Sequence, residues 1–277
     1  MESRVALVTG ATSGIGKQTA SELARQGFTV ALGCRDPQRG EAARREIAAE
    51  AGSQRVSVLP VDLASLGSVR RAAAAFAGSF ERLDVLVNNA GIFTMRQHLT
   101  EDGFEAQFGV NHLGHFLLTL ELLDLLKRSA PSRVVVVSSA MHKGGRIDFD
   151  TFRGRRPYRP VAAYRQSKLA NVLFTTELAG RLRGTGVTAN ALHPGSIATG
   201  IYRDAPLPVR AVVRLLLQAP RAGARTSVYL ATSPEVAGTT GLYFEKSRPV
   251  ATSREARDSA LAERLWQKSE ELCRTAT

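Results

Sequence analysis

The sequence predicts an α/β chain: a single doubly wound parallel sheet of about seven strands with helices on both faces. Three observations predict it. Apolar runs of strand length are continuous rather than alternating, as strands covered on both faces require. They alternate with longer segments of helical period, and a glycine-rich turn joins the first run to the first such segment. The runs are Val5 to Val8, Thr29 to Leu32, Val56 to Leu59, Val85 to Val87, Val134 to Val137, Val187 to Leu192 and Leu242 to Phe244. Right-handed crossovers through the intervening helices connect parallel neighbours.

The helices have local signals of their own. The first spans Lys17 to Gln26. The second opens on Asp36-Pro37, a capping carboxylate followed by proline at the first helical position, and runs towards Glu50 before Ala51-Gly52-Ser53 closes it. A last helical stretch, Thr252 to Cys273, offers Leu261, Leu265, Trp266 and Leu272 for packing. With no repeat, low-complexity tract or linker, one domain over residues 1–277 is expected.

At 277 residues, 44% hydrophobic and 22% charged, the chain has the material for a packed core, which excludes a disordered tail. The longest apolar stretch, Leu113 to Leu126, is broken by His115, Glu121 and Asp124 and falls short of the roughly 18 apolar residues of a membrane span. Neither a membrane anchor nor a signal peptide is visible, so a cytoplasmic location is expected. Cys34 and Cys273 are too few for a disulfide framework and lack metal-ligand spacing. The net charge is +12, but 31 of the 37 basic residues are arginines scattered from Arg4 to Arg274. That distribution predicts a solvated basic surface and no nucleic-acid partner.

The turn after the first strand carries Gly10, Thr12, Ser13, Gly14, Ile15 and Gly16. Glycines here let the backbone approach a pyrophosphate, which the N–H groups and dipole of the next helix favour. Tyr164 and Lys168 lie four apart in a helical segment, so both emerge on one face. A tyrosine of pKa about 10 exchanges protons poorly at neutral pH, and a neighbouring ammonium favours its phenolate.

The Gly-x-x-x-Gly-x-Gly spacing, Asn88-Asn89-Ala90-Gly91, Ser138-Ser139, Tyr164-Arg165-Gln166-Ser167-Lys168 and Pro194-Gly195 together resemble the short-chain dehydrogenase/reductase family over nearly the whole chain. Asn111 to Phe116, Ser167 to Asn171 and His193 to Gly195 look most like its retinol dehydrogenase and WW-domain oxidoreductase branch. The resemblance implies a Rossmann fold and a tetrad of Asn111, Ser139, Tyr164 and Lys168. Ser139 would bond the substrate oxygen and Lys168 the nicotinamide ribose, while Asn111 would hold a water in a relay to Lys168. It further implies cofactor contacts from Asn89, Ala90 and Gly91, from Asp62 and Leu63 at the adenine, and from Pro194, Ile197 and Thr199 near the nicotinamide. An aspartate at position 62 equally suits a cap of the next helix.

Relatives that use NAD carry an acid where this chain has Cys34, and Arg35 follows it with a fork suited to a 2′-phosphate; NADP(H) is therefore expected. His112 and His115 lack a third ligand at metal spacing, so packing histidines and no metal are expected. The implied activity is hydride transfer between the nicotinamide and a carbonyl or alcohol, with a lipophilic aldehyde or ketone as substrate. The alternative is a catalytically idle NADP-binding interaction or redox-sensing protein.

The 24 residues from Ala140 to Ala163 form a long substrate loop carrying Arg153, Arg155, Arg156 and Arg159. Those charges suit a solvated, self-repelling loop; attraction of an anionic substrate or a membrane headgroup is the other reading. An amphipathic Val209 to Leu217 suggests an apolar lid over about 196–220. A homodimer or homotetramer stays open.

Overall fold

The computed structural model describes residues 3–195 and 220–275. Seven parallel strands form its sheet: β1 (Val5–Thr9), β2 (Thr29–Cys34), β3 (Val56–Pro60), β4 (Val85–Asn88), β5 (Ser132–Val137), β6 (Val187–His193) and β7 (Tyr243–Glu245). An eighth, β8 (Arg248–Pro249), turns back antiparallel on β7, giving the order β3-β2-β1-β4-β5-β6-β7-β8. This extra strand is two residues long. Its turn uses Lys246 and Ser247 at φ 49° and 60°, where asparagine or glycine is the usual signal.

The helices are α1 (Gly14–Arg25), α2 (Pro37–Ala51), α3 (Leu66–Ser79), α4 (Ala106–Phe108), α5 (Gly114–Glu121), α6 (Leu123–Arg128), α7 (Pro160–Arg181), α8 (Pro220–Thr232) and α9 (Ser259–Thr275). The expected lid lies outside the described residues except for Pro220, which opens α8. No described helix is long and apolar enough to cross a membrane.

Register explains why the strand runs are continuous. Leu7 pairs with Leu86, Leu86 with Val134 and Val134 with Ala189, and all four enter the core under α3, α5, α7 and α9. Their neighbours Ala6, Val8, Val87 and Val135 enter the opposite core, under α1, α2 and α8. Successive side chains point to opposite faces, so a strand buried on both needs no polar position. The caps follow the sequence too: Asp36 accepts from the Gln38 and Arg39 N–H groups, and Gly52 ends α2 at φ 62°.

The long loop is pinned rather than self-repelling. Phe152 is buried and stacks on Phe108 at 3.9 Å, and the Tyr158 hydroxyl donates to Glu105 Oε1 at 2.8 Å. Glu105 in turn caps α4 by accepting from the Gln107 and Phe108 N–H groups. Chain order reverses at β1, which lies between β2 and β4, and such a switch opens a crevice at the carboxyl ends of the strands.

Candidate active site

A cleft of about 1410 Å³ occupies that crevice, larger than the about 300–1,000 Å³ of common ligand pockets. Its β1 wall is the turn from Gly10 to Ser13 and the first residues of α1; Gly10, Thr12, Ser13, Gly14, Ile15 and Gly16 all face it. Gly10 and Gly14 have φ of 66° and 58°, the left-handed region that glycine adopts without strain. Gly16 serves packing instead: a Cβ there would lie 2.4 Å from Asn89 Nδ2 and 2.5 Å from the Gly10 carbonyl oxygen. The first turn of α1 holds no acidic residue, and the Ser13 hydroxyl makes no capping bond, so N–H groups and a hydroxyl are available to an anion.

At the ends of β2 and β3, Arg35, Asp62 and Leu63 line the cleft, as does Arg39 from the first turn of α2. Sequence reasoning missed Arg39. The Asp36 cap was the available signal, because it fixes residues 37–39 as the turn beside the strand end. Asp62 does not cap α3, whose N-cap is Ser65; its Oδ1 accepts from the Ala64 N–H at 2.9 Å in a local turn.

Asn89, Ala90 and Gly91 follow β4 along the cleft. The Thr9 hydroxyl accepts from the Asn89 and Ala90 N–H groups at 2.9 and 3.0 Å, and Asn89 Nδ2 donates to the Thr9 carbonyl at 2.8 Å, which ties β4 to β1.

Asn111 stands apart from the other candidates: it is fully buried in a π-helical turn, Gly109–Leu113, and does not line the cleft. Its Oδ1 accepts from the Ile92 N–H at 2.7 Å, and its Nδ2 donates to the Ile92 carbonyl and to Ser167 Oγ at 3.0 Å each. The backbone carbonyl of Asn111 lies 3.1 Å from His115 Nδ1, and His115 Nε2 lies 2.8 Å from the Thr9 hydroxyl. A carbonyl only accepts, so Nδ1 carries the proton and Nε2 accepts from Thr9. Burial holds His115 at a pKa of about 4 and His112, bonded to Ser269, at about 3. Both are neutral packing groups.

Tyr164 and Lys168 project from α7 into the cleft, with the Lys168 ammonium 5.7 Å from the Tyr164 ring centroid. Tyr164 also meets Phe93 edge-on at 5.5 Å. Lys168 is buried, donates to the Val137 carbonyl at 3.1 Å, and is lowered to a pKa of about 8 by desolvation, so its charged form still dominates at neutral pH. Atoms of Lys168 and Asn111 both lie 3.4 Å from the position a Cβ on Gly91 would take, so these two meet at that glycine.

The two serines after β5 both line the cleft but differ in burial and in partners. Ser138 is buried with its hydroxyl on the Lys168 carbonyl at 2.7 Å, whereas Ser139 is half-buried and faces the cleft. The Met141 N–H donates to Ser139 Oγ at 3.2 Å, and His142 Nδ1 donates to the Ser139 carbonyl at 2.8 Å. His142, one of the residues of the long loop, is buried and does not line the cleft; it meets the site through its bond to Ser139. His193, Pro194 and Gly195 close the cleft beyond β6; Ile197 and Thr199 lie outside the described residues.

The chain is similar to known proteins in sequence and in fold. A family model described as short chain dehydrogenase matches residues 4–207. The chain is 48% identical to human retinol dehydrogenase 13 over 97% of its own length and 84% of that protein, and 49% identical to human retinol dehydrogenase 14 over 98% and 86%. Among solved structures, an uncharacterised protein from Mycobacterium paratuberculosis superposes with a TM-score of 0.78 at 40% identity, covering 98% of this chain and 94% of that one. The Pseudomonas aeruginosa RhlG/NADP active-site complex follows at TM-score 0.70 and 26% identity, covering 94% and 96%. A short chain dehydrogenase from Escherichia coli complexed with NADPH reaches 0.69 at 25%, covering 90% and 98%. The chain belongs to the short-chain dehydrogenase/reductase family, oxidoreductases that work on alcohol and carbonyl groups with a nicotinamide cofactor, and within it to the retinol dehydrogenase branch.

Proposed function

We propose that this protein is an NADP(H)-dependent oxidoreductase that interconverts a lipophilic aldehyde or ketone and its alcohol. One observation carries the reading: Tyr164 and Lys168 from α7 and Ser139 from the end of β5 face one cleft whose other end offers a helix N-terminus and two arginines. That end fits the cofactor. The N–H groups of α1 and the Ser13 hydroxyl suit a pyrophosphate, and the exposed forks of Arg35 and Arg39 suit a 2′-phosphate. Two of the solved relatives are complexes with NADP or NADPH, in line with that preference. Asp62 and Leu63 are assigned to the adenine, Asn89 to Gly91 and Pro194 to the length of the dinucleotide, and Lys168 to its ribose hydroxyls. Ile197 and Thr199 are assigned to the nicotinamide from sequence alone.

When bound, the nicotinamide supplies or accepts the hydride. The chain's own residues manage the proton and the oxygen. Tyr164 gives its phenolic proton to the developing alkoxide, and the Lys168 ammonium favours the phenolate left behind. Because the Met141 N–H occupies Ser139 Oγ as an acceptor, the Ser139 O–H is directed to donate to the same substrate oxygen. Asn111 positions the Ile92 segment and offers its carbonyl to a water reaching Lys168. Phe93, Leu99, Met141 and Val161 give the substrate end an apolar lining, which favours a lipophilic group.

Tyr164→Phe tests the assignment. It is expected to bind NADPH as the parent does, by calorimetry, while kcat for aldehyde reduction falls about 10²- to 10⁴-fold. Turnover at the parental rate overturns the role of Tyr164.

A further inference from the structure

The 3-10 turn Ala140–Gly144, which Ser139 caps, is held from a strand that does not line the cleft. Two successive residues of the turn meet two alternate residues of β7, which share one face of the sheet. The His142 and Tyr243 rings lie edge-on with centroids 4.6 Å apart, and Lys143 Nζ lies 4.0 Å from Glu245 Oε1.

His142 binds the serine twice. Its backbone N–H donates to the Ser139 carbonyl at 3.0 Å, the bond that closes the turn, and its Nδ1 donates to the same oxygen at 2.8 Å. The turn is complete without the second bond. Burial lowers the His142 pKa, so the ring is neutral at neutral pH, and its one proton sits on Nδ1 because a carbonyl only accepts. Nε2 is then an acceptor, and it is buried without a partner among the described residues, as is the Tyr243 hydroxyl. A phenyl ring at position 142 would fill similar space without an unpartnered acceptor. Packing therefore does not account for an imidazole here, whereas the bond to the Ser139 carbonyl does.

From this combination we infer that His142 is a positioning residue for Ser139, clamped between the serine carbonyl and the Tyr243 ring so that Ser139 Oγ stays aimed at the substrate oxygen. With the Met141 N–H on Oγ and the His142 ring on the carbonyl, the serine is fixed at both ends. Such fixing matters because a misplacement of about 1 Å can cost about 10²-fold in rate. His142 does not line the cleft, so it acts through the serine alone. The inference rests on the reading of Ser139 as the donor to the substrate oxygen.

The test is a double-mutant cycle in the full chain, read as steady-state aldehyde reduction with NADPH. Ser139→Ala is expected to lower kcat about 10²- to 10³-fold, as loss of a donor to a developing oxyanion does. His142→Phe is expected to lower kcat about 10- to 100-fold while KM for NADPH stays within about twofold. The two substitutions together are expected to cost no more than Ser139→Ala alone, because the ring then has nothing to position. His142→Asn, whose amide nitrogen takes the place of Nδ1, is expected to keep kcat within about threefold of the parent. The same cycle with His142→Ala, which leaves space rather than bulk, serves where phenylalanine is not accepted. A purely structural role would multiply the two losses and raise KM for NADPH as well. Multiplied losses, a parental rate in His142→Phe, or His142→Asn as slow as His142→Phe would overturn the inference while the role of Ser139 stands. Ser139→Ala turning over at the parental rate would overturn both.

Discussion

At the end of the cleft under β2 and β3, the two cationic side chains that face it are surface groups: Arg35 and Arg39 are exposed, and among the described residues their guanidinium groups hold no strand or helix in place. At the other end, under β4 and β5, the polar groups are interior ones. Asn111 is 0% exposed, Lys168 3% and Tyr164 7%, and the first two also bond the backbone of neighbouring segments. The contrast teaches where stability and activity share atoms. A change at the first end alters recognition and leaves the fold alone, while a change at the second alters both, in directions set by what each buried group costs or contributes.

Lys168→Met is expected to separate the two most widely. Without the ammonium, kcat falls by at least about 10³-fold. Methionine fills similar space without a charge to desolvate, and the Val137 carbonyl keeps a donor in Asn171 Nδ2 at 3.2 Å. The protein without cofactor is therefore expected to gain about 1–3 kcal/mol against urea. A variant less stable than the parent would make Lys168 a pillar of the fold and break the comparison at its centre. Asn111→Ala runs the other way: it strips the Ile92 N–H and carbonyl of their partners and is expected to cost about 2–3 kcal/mol in the same assay. At the opposite end, Arg35→Asp is expected to shift the ratio of kcat/KM for NADPH over NADH by about 10- to 100-fold while Tm stays within about 2 °C. A large fall in Tm would show that this end is structural after all.

The same contrast decides what could be read in the sequence. The sheet was legible because both-face burial leaves a mark in every strand, and the α2 start because Asp36-Pro37 names its own cap. Helical spacing showed only that Tyr164 and Lys168 share a face; their roles, and the choice of Ser139, came from the resemblance to the short-chain dehydrogenase/reductase family. The β7–β8 hairpin was not legible, since Lys246 and Ser247 adopt positive φ without the residues that announce it. Nor was the state of the long loop: its arginines suggested repulsion, but Phe152 under Phe108 and Tyr158 on Glu105 are tertiary contacts that no local pattern reveals. Arg39 escaped for the same reason: what matters is which strand end it stands beside, and only the folded chain brings it there.

The smallest expected effect concerns protons. His112 and His115 are neutral in the fold because burial lowers them to about 3 and 4, while the unfolded chain binds a proton at each near 6.5. Burial also lowers His142 and His193. A group depressed in the folded state contributes stability above its unfolded pKa and loses it as pH falls towards the folded one. The protein is therefore expected to lose stability from about pH 6.5 downward, before most carboxylates titrate. Each such histidine adds at most about 1.4 kcal/mol per pH unit to that slope. His115→Asn retains a donor for the Asn111 carbonyl and removes one titrating ring, so the slope between pH 6 and pH 5 in chemical denaturation is expected to flatten by about one proton, whatever the variant's absolute stability. An unchanged slope would mean that His115 is charged in the fold, and the end of the cleft around Asn111 would then tolerate a buried cation besides Lys168. Arg35→Asp, at the other end, is expected to leave the slope unaltered, because it adds no group that titrates between pH 5 and pH 6.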